Sequence, residues 1–120
     1  MPSDVFSAKT YEEFKTRLIE SQCPKCPELC ATRHNIVVDR GNPKTKIVVI
    51  GEGPGENEDL HGKSFVGRAG QLLDKIMEPI GLDTNKDMLI LNVVKCRPPQ
   101  NRRPTPQEAA HCKPYLQWQL

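Results

Sequence analysis

The chain has five cysteines, and their spacing is its first chemical feature. Cys23 and Cys26 form a Cys-x-x-Cys pair with Cys30 close behind; Cys96 follows after a gap of 69 residues and Cys112 after 15 more. A Cys-x-x-Cys alone is a weak metal or redox motif, but a second pair returning from the far side of the chain strengthens the metal reading. Four thiolates suit zinc or an iron–sulfur cluster, and spacing does not choose between them. Disulfides fit poorly. The opening Met-Pro-Ser-Asp-Val-Phe-Ser has neither a charged nor an apolar leader region, and the cysteine count is odd. Cys23, Cys26 and Cys30 also stand among prolines and polar residues, unlike thiols that merely fill a core. Cys30 is the spare.

Between the cysteine pairs lies a second set of chemical groups. Gly51-Glu52-Gly53-Pro54-Gly55-Glu56 resembles a nucleotide-binding turn, yet Glu56 stands where the dinucleotide pattern needs glycine, and no Gly-Lys-Ser/Thr ending follows. Glu52, Glu56, Glu58 and Asp59 would repel a bare phosphate, so a neutral polar ring is the expected guest. The competing reading is a plain Gly-Pro connection. Phe65 falls outside any apolar periodicity and offers a stacking face, although an isolated phenylalanine more often belongs to a core. Asn92 interrupts an apolar run; its amide can read the donor–acceptor edge of a ring or simply satisfy strand-end backbone. Lys95, Arg97, Arg102 and Arg103 crowd one proline-rich loop. A net charge of +2 gives no general attraction to nucleic acid, but such a loop can track phosphates or be a solvated charge run.

These residues need a scaffold, and the pattern predicts an α/β one. Thr10 and Glu13 form a capping box for a helix from about Thr10 to Ser21, with Phe14, Leu18 and Ile19 on one side. Ile36 to Val38 reads as a short strand and Arg40-Gly41-Asn42-Pro43 as a turn. Lys46 to Ile50 reads as a buried strand of a parallel sheet. A helix from about Ala69 to Ile80 follows, with Ala69, Leu72, Leu73, Ile76, Met77 and Ile80 as its apolar stripe and Gly81 closing it. Met88 to Val94 is the second buried strand. Thr105-Pro106-Gln107-Glu108 caps a last helix that places Cys112 in its second turn and is kinked or restarted at Pro114. Strand, helix, strand is a βαβ unit, so ligands are expected at the carboxyl ends of the strands, where the glycine turn and Asn92 both fall. Composition agrees with a globular chain: 37% hydrophobic, 27% charged, and no apolar stretch near the ~20 residues of a membrane span. The reading is of one soluble, cytoplasmic, monomeric domain.

The motifs add up to a family likeness. Gly51-Glu-Gly-Pro-Gly-Glu-Asn-Glu-Asp59, Gly62-Lys-Ser-Phe-Val-Gly-Arg-Ala-Gly-Gln-Leu-Leu73 and Leu91-Asn-Val-Val-Lys-Cys-Arg-Pro-Pro-Gln-Asn-Arg102, followed by Glu108 and Cys112, resemble family 4 uracil-DNA glycosylases, the iron–sulfur members of that superfamily. The resemblance implies a three-layer fold with a central parallel sheet flanked by helices, here the N-terminal part, so that residues 1–120 form an incomplete domain. It implies a 4Fe-4S cluster on Cys23, Cys26, Cys96 and Cys112, with Cys30 outside it. Phe65 would stack on an extrahelical uracil and Asn92 would bond its edge, with Gly53 and Gly55 in the substrate pocket. Glu52, Glu58 and Asn92 are the implied catalytic residues; Lys95, Arg97, Arg102 and Arg103 face the DNA backbone. The implied activity is hydrolysis of the uracil N-glycosidic bond in DNA. Ser64 replaces the family's usual proline, and the family's later histidine motif would lie beyond Leu120, so the chain alone is expected to be inactive. The alternative from another class is a non-catalytic cysteine–metal module that binds nucleic acid.

Overall fold

A computed structural model describes residues 5–120; residues 1–4, part of the segment read as leaderless, lie outside it. Helix α1, Tyr11–Ser21, starts where Thr10 caps it, the Thr10 side chain accepting from the Glu13 N–H at 3.1 Å. Its Phe14 and Leu18 are wholly buried, but Ile19 is exposed, one position too far round the helix to reach the core. Helix α2, Pro27–Thr32, follows at once, with Cys26 at its N-cap and Pro27 in its first turn, where a missing N–H costs nothing.

The sheet has the order β1-β3-β2, with β1 at Arg40–Gly41, β2 at Ile47–Gly51 and β3 at Met88–Asn92. Strands β2 and β3 run parallel, in register from Ile47 opposite Met88 to Gly51 opposite Asn92. Strand β1 pairs antiparallel with β3, so the sheet is mixed rather than wholly parallel. The crossover from β2 to β3 carries α3, Glu56–His61, and α4, Arg68–Met77, extended by a 3-10 turn Glu78–Ile80 that Gly81 closes in the left-handed region. Helix α5, Pro106–Gln119, begins on the capping box of Thr105 and Glu108. It continues through Pro114 rather than restarting there; the carbonyl that this proline cannot serve belongs to Ala110, an exposed residue.

One buried cluster sits between α1, α2, α5 and the segment around Val38, and β3 is buried along its whole length as expected. Phe14 stacks on Trp118 with ring centroids 4.1 Å apart and planes within 3°. The cysteine loop and Tyr115 belong to the same buried cluster.

Three expectations are corrected here. Ile36–Val38 is buried, but it is an extended segment outside the sheet; Val37 N–H is taken by the Lys95 carbonyl at 2.7 Å, so this stretch belongs to the core wall. Strand β2 exists where expected but is not buried: Ile47, Val48 and Ile50 are 41%, 38% and 46% exposed. The apolar stripe of α4 is likewise open at Leu72 and Ile76, and Ile80 beyond it is open as well. Pattern predicts which faces want cover, and only the remaining surface of a domain provides it. Among the described residues no helix is long and apolar enough to cross a membrane.

Candidate active site

The parallel pairing of β2 and β3 continues past the strand ends, with Val93 N–H bonded to the Gly51 carbonyl at 2.9 Å and Val94 N–H to that of Glu52 at 3.0 Å. This brings the glycine turn alongside Asn92, at the carboxyl edge where an α/β sheet opens its crevice. A cavity of about 120 Å³ lies there, lined by Gly53, Glu58, Phe65, Gly67, Arg68, Ala69, Gly70 and Asn92. The expected Gly53, Glu58, Phe65 and Asn92 are thus brought together. Gly55 and Glu52 are not; they line a neighbouring cleft with Pro98, Asn101, Arg102, Arg103 and Pro104.

Asn92 is 2% exposed, and among the described residues its Oδ1 has no hydrogen-bond partner. An unpaired buried carbonyl costs about 1 to 3 kcal/mol, a cost that a ligand N–H would remove. Phe65 stands close by. A Cβ built on Gly51 would lie 2.5 Å from Asn92 Oδ1 and 2.8 Å from the Phe65 ring, so the glycine is what lets the amide and the ring close on one another.

Phe65 takes a left-handed backbone, φ 54°, which a bulky L residue adopts only under constraint. Two devices impose it. Arg40 donates from Nη1 to the Phe65 carbonyl while its other nitrogens bond Asp74 Oδ1 at 2.9 Å, Thr84 Oγ1 at 2.8 Å and Asn85 Oδ1 at 2.9 Å. Glu58 accepts from the N–H groups of Gly55 at 3.0 Å, Val66 at 2.9 Å and Gly67. With both oxygens held by backbone, Glu58 has the geometry of a brace for the Phe65 loop. Sequence reading missed Arg40 because it lies in a segment that reads as a surface turn and acts through tertiary contacts alone.

The basic loop is only partly what it promised. Lys95 is 1% exposed, with its Nζ donating to the Asn92 carbonyl at 2.8 Å, and burial pushes its pKa down to about 8. It faces inward and is removed from the phosphate-contacting set. Arg102 is bound to Glu108 at 2.8 Å and to Glu28 at 2.8 Å, Arg97 to Asn101 at 2.8 Å. Arg103, 86% exposed in its side chain, reaches Glu52 at 2.7 Å. The three arginines stay on the surface.

Cys23, Cys26, Cys96 and Cys112 are all buried in one cluster, while Cys30 is partly exposed and donates to the Cys23 carbonyl at 3.1 Å. Burial first, then mutual repulsion of their ionised forms, pushes Cys26 up to about 11 and Cys96 up to about 12, and burial raises Cys112 too. Arg33 Nη1 reaches the Cys96 sulfur at 3.2 Å and works against that rise. The Tyr115 hydroxyl lies 3.2 Å from the Cys23 sulfur and His111 Nδ1 3.4 Å from that of Cys26. Among the described residues no three His, Cys, Asp or Glu side chains are placed to hold a metal ion. Four thiols buried in one cluster are nevertheless a donor set that suits a polynuclear group, which spreads its thiolates over several metals rather than one point.

Comparison with known proteins agrees with this architecture. The model of the uracil DNA glycosylase superfamily matches residues 38–120. The chain is 52% identical over 99 residues to the type-4 uracil-DNA glycosylase of Thermotoga maritima, covering 82% of this chain and 50% of that protein. It is 51% identical over 98 residues to the type-4 enzyme of Archaeoglobus fulgidus, covering 82% and 48%, and 48% identical over 99 residues to that of Saccharolobus solfataricus, covering 82% and 45%. The chain therefore spans about half the length of the curated relatives it matches. The superfamily match takes in β1, β2, β3 and every residue around the cavity, and the protein belongs to the uracil DNA glycosylase superfamily.

Proposed function

We propose that this chain supplies the base-reading part of a DNA-repair glycosylase that takes uracil out of the DNA stack and hydrolyses its N-glycosidic bond, leaving an abasic site. The observation that carries the reading is the orphaned Oδ1 of Asn92 in a cavity walled by Phe65. That oxygen can only accept. Uracil presents an imide N–H to it, whereas cytosine presents a lone pair at the same ring position and would leave two acceptors facing each other. Phe65 offers the stacking face, and extrusion is easiest where uracil is mispaired.

Bond cleavage leaves negative charge on the departing uracil and positive charge on the sugar. Donors aimed at the base lower that barrier: the Asn92 amide nitrogen and the Gly53 backbone are the candidates in this chain. Glu52 is the remaining carboxylate for the sugar side, from its place in the adjoining cleft with Arg103; Glu58 holds the Phe65 loop in shape. Arg97, Arg102 and Arg103 track the DNA backbone. Cys23, Cys26, Cys96 and Cys112 would hold a 4Fe-4S cluster, whose contribution is to cross-link the α2 entry to the segment after β3 and to α5. A cysteine–metal nucleic-acid module without catalysis leaves the cavity and its unpaired oxygen without a role.

The test joins this chain to the second half of the Thermotoga maritima relative and measures uracil release from an oligonucleotide with one uracil. Asn92→Asp places an anion beside the departing uracil and should cut the rate about 10²- to 10³-fold. Near-normal release by Asn92→Asp removes that residue from the site; no release by a folded parent fusion overturns the function.

A further inference from the structure

Each of the four cysteines assigned to the cluster is met by a group able to donate to its sulfur, and each group comes from a different residue. The Tyr115 hydroxyl stands 3.2 Å from the Cys23 sulfur, and His111 Nδ1 stands 3.4 Å from that of Cys26. Arg33 Nη1 donates to the Cys96 sulfur at 3.2 Å. Burial raises the Cys112 thiol, and a hydrogen bond from the Lys95 backbone is the leading effect against that rise. Cys30 reverses the pattern, since its own thiol donates, to the Cys23 carbonyl at 3.1 Å. Donors gathered on a sulfur suit a thiolate, so this distribution separates four ligands from the spare without reference to their spacing.

Arg33 differs from the other donors in bringing a permanent charge. A guanidinium cannot accept, so in this contact the Cys96 sulfur must. The residue sits at the C-terminal cap of α2, its backbone N–H bonded to the Leu29 carbonyl at 2.9 Å. From there Nη1 also reaches the Cys23 carbonyl at 2.8 Å and Nη2 that of Gln22 at 2.6 Å. One planar fork therefore holds the backbone of the cysteine loop and the sulfur of a ligand that arrives after β3. Arg33 is also partly buried, which leaves its field less screened than that of a surface arginine. The reduction potential of an iron–sulfur cluster follows its net charge, the hydrogen bonds to its sulfurs and its exposure to solvent. An added electron is more favourable beside a fixed positive charge than beside a neutral donor.

We propose that Arg33 sets the reduction potential of the cluster: its guanidinium, held against the Cys96 sulfur by the Gln22 and Cys23 carbonyls, favours the reduced state. Arg33 is a positioning residue that acts through Cys96 and is no ligand itself. The inference rests on the cluster assignment made above, and it requires neither the base pocket nor catalysis. The competing role is a mechanical clip that fastens the cysteine loop and leaves the potential alone.

The test reconstitutes the 120-residue chain with ferrous iron and sulfide in the absence of oxygen and follows the absorbance near ~400 nm in an electrochemical cell. Arg33→Gln keeps an N–H but removes the charge. It should shift the balance toward the oxidised form at least tenfold, a fall in midpoint potential of about 59 mV for one electron. Arg33→Lys keeps the charge and should restore most of that shift. Neither variant can span all three acceptors, so both should surrender iron to a chelator faster than the parent; that rate reports the clip, whereas the potential reports the charge. Equal potentials for Arg33→Gln and the parent overturn the inference. So does an Arg33→Lys potential that falls as far as that of Arg33→Gln, which leaves the arginine as a clip. Failure of both variants to take up iron has the same meaning, whereas uptake by Arg33→Lys alone supports the role of the charge. A parent chain with neither iron nor the band removes the cluster assignment itself and this inference with it.

Discussion

Replacing Arg40 by methionine tests whether the Phe65 loop is held from outside the cavity. Arg40 is a hub with its side chain 9% exposed, and the substitution keeps much of its apolar stem while deleting every donor. The Asp74 pair contributes little, because that carboxylate is 44% exposed and solvent can replace its partner. The Phe65 carbonyl is different. A Cβ built on Gly70 would lie 1.7 Å from that oxygen, so backbone is packed tightly against it and water has little room to take over. Losing its donor costs about 1 to 2 kcal/mol. The left-handed Phe65 backbone then loses one of its two restraints, and any strain it releases offsets part of that cost rather than adding to it. A loss of about 1 to 2 kcal/mol corresponds to a fall in thermal midpoint of roughly 4 to 8 °C for a domain of this size. Circular dichroism melts give the midpoint, and hydrogen exchange at the Val66 and Gly67 amides, both bonded to Glu58, reports the loop itself. A fall below about 3 °C together with unchanged exchange at those amides would refute the reasoning.

Further outcomes are expected. Glu108 is held down to about 2, chiefly by its hydrogen bond from Arg102. Its folded pKa lies below its unfolded one, so its contribution to stability is present above about pH 4.5 and is lost as pH falls toward 2. Acid melts should show that loss, and Glu108→Gln should flatten it. Cys112→Ala should lower iron content and soluble yield together, whereas Cys30→Ala should leave both near the parent; iron assay and absorbance near ~400 nm decide, and the opposite ranking would reassign the ligands. Arg102→Ala with Arg103→Ala should flatten the salt dependence of DNA binding by roughly one unit per lost phosphate contact, while Lys95→Met should not flatten it at all.

Much of this could be read in the residues, for a physical reason. The capping pairs Thr10 with Glu13 and Thr105 with Glu108 are local, so a stretch of four residues specifies a helix start whatever the rest of the chain does. The closeness of the glycine turn and Asn92 was legible because a parallel βαβ unit must put both strand ends on one edge. Burial was harder. Ile47, Val48 and Ile50 form an apolar run that asks for cover, but pattern cannot say whether cover is supplied. Lys95 stands in a charged run and looked solvated, although its stem threads the core and its Nζ ends on a backbone oxygen. Arg40 was invisible because its partners lie 25 to 45 positions away, and no local spacing encodes such a convergence. The cysteine ligand set came from family likeness, and the fold adds that all four thiols share one buried cluster.

The cavity wall has an evolutionary implication. Gly53, Gly67 and Gly70 line it, so much of its boundary is bare main chain. A wall of side chains can be cut back by mutation to admit something larger, but a wall of glycine can only be filled in. A Cβ at Gly53 would already meet Val94 at 2.8 Å, and one at Gly67 would meet Glu58 at 3.0 Å. On the proposed reading, substitution on these sides cannot widen the range of rings accepted. If the cavity takes a base as proposed, a lineage accepting bulkier ones would have had to change Phe65, Arg68 or the backbone course of the loop, and those are the places to look for divergence.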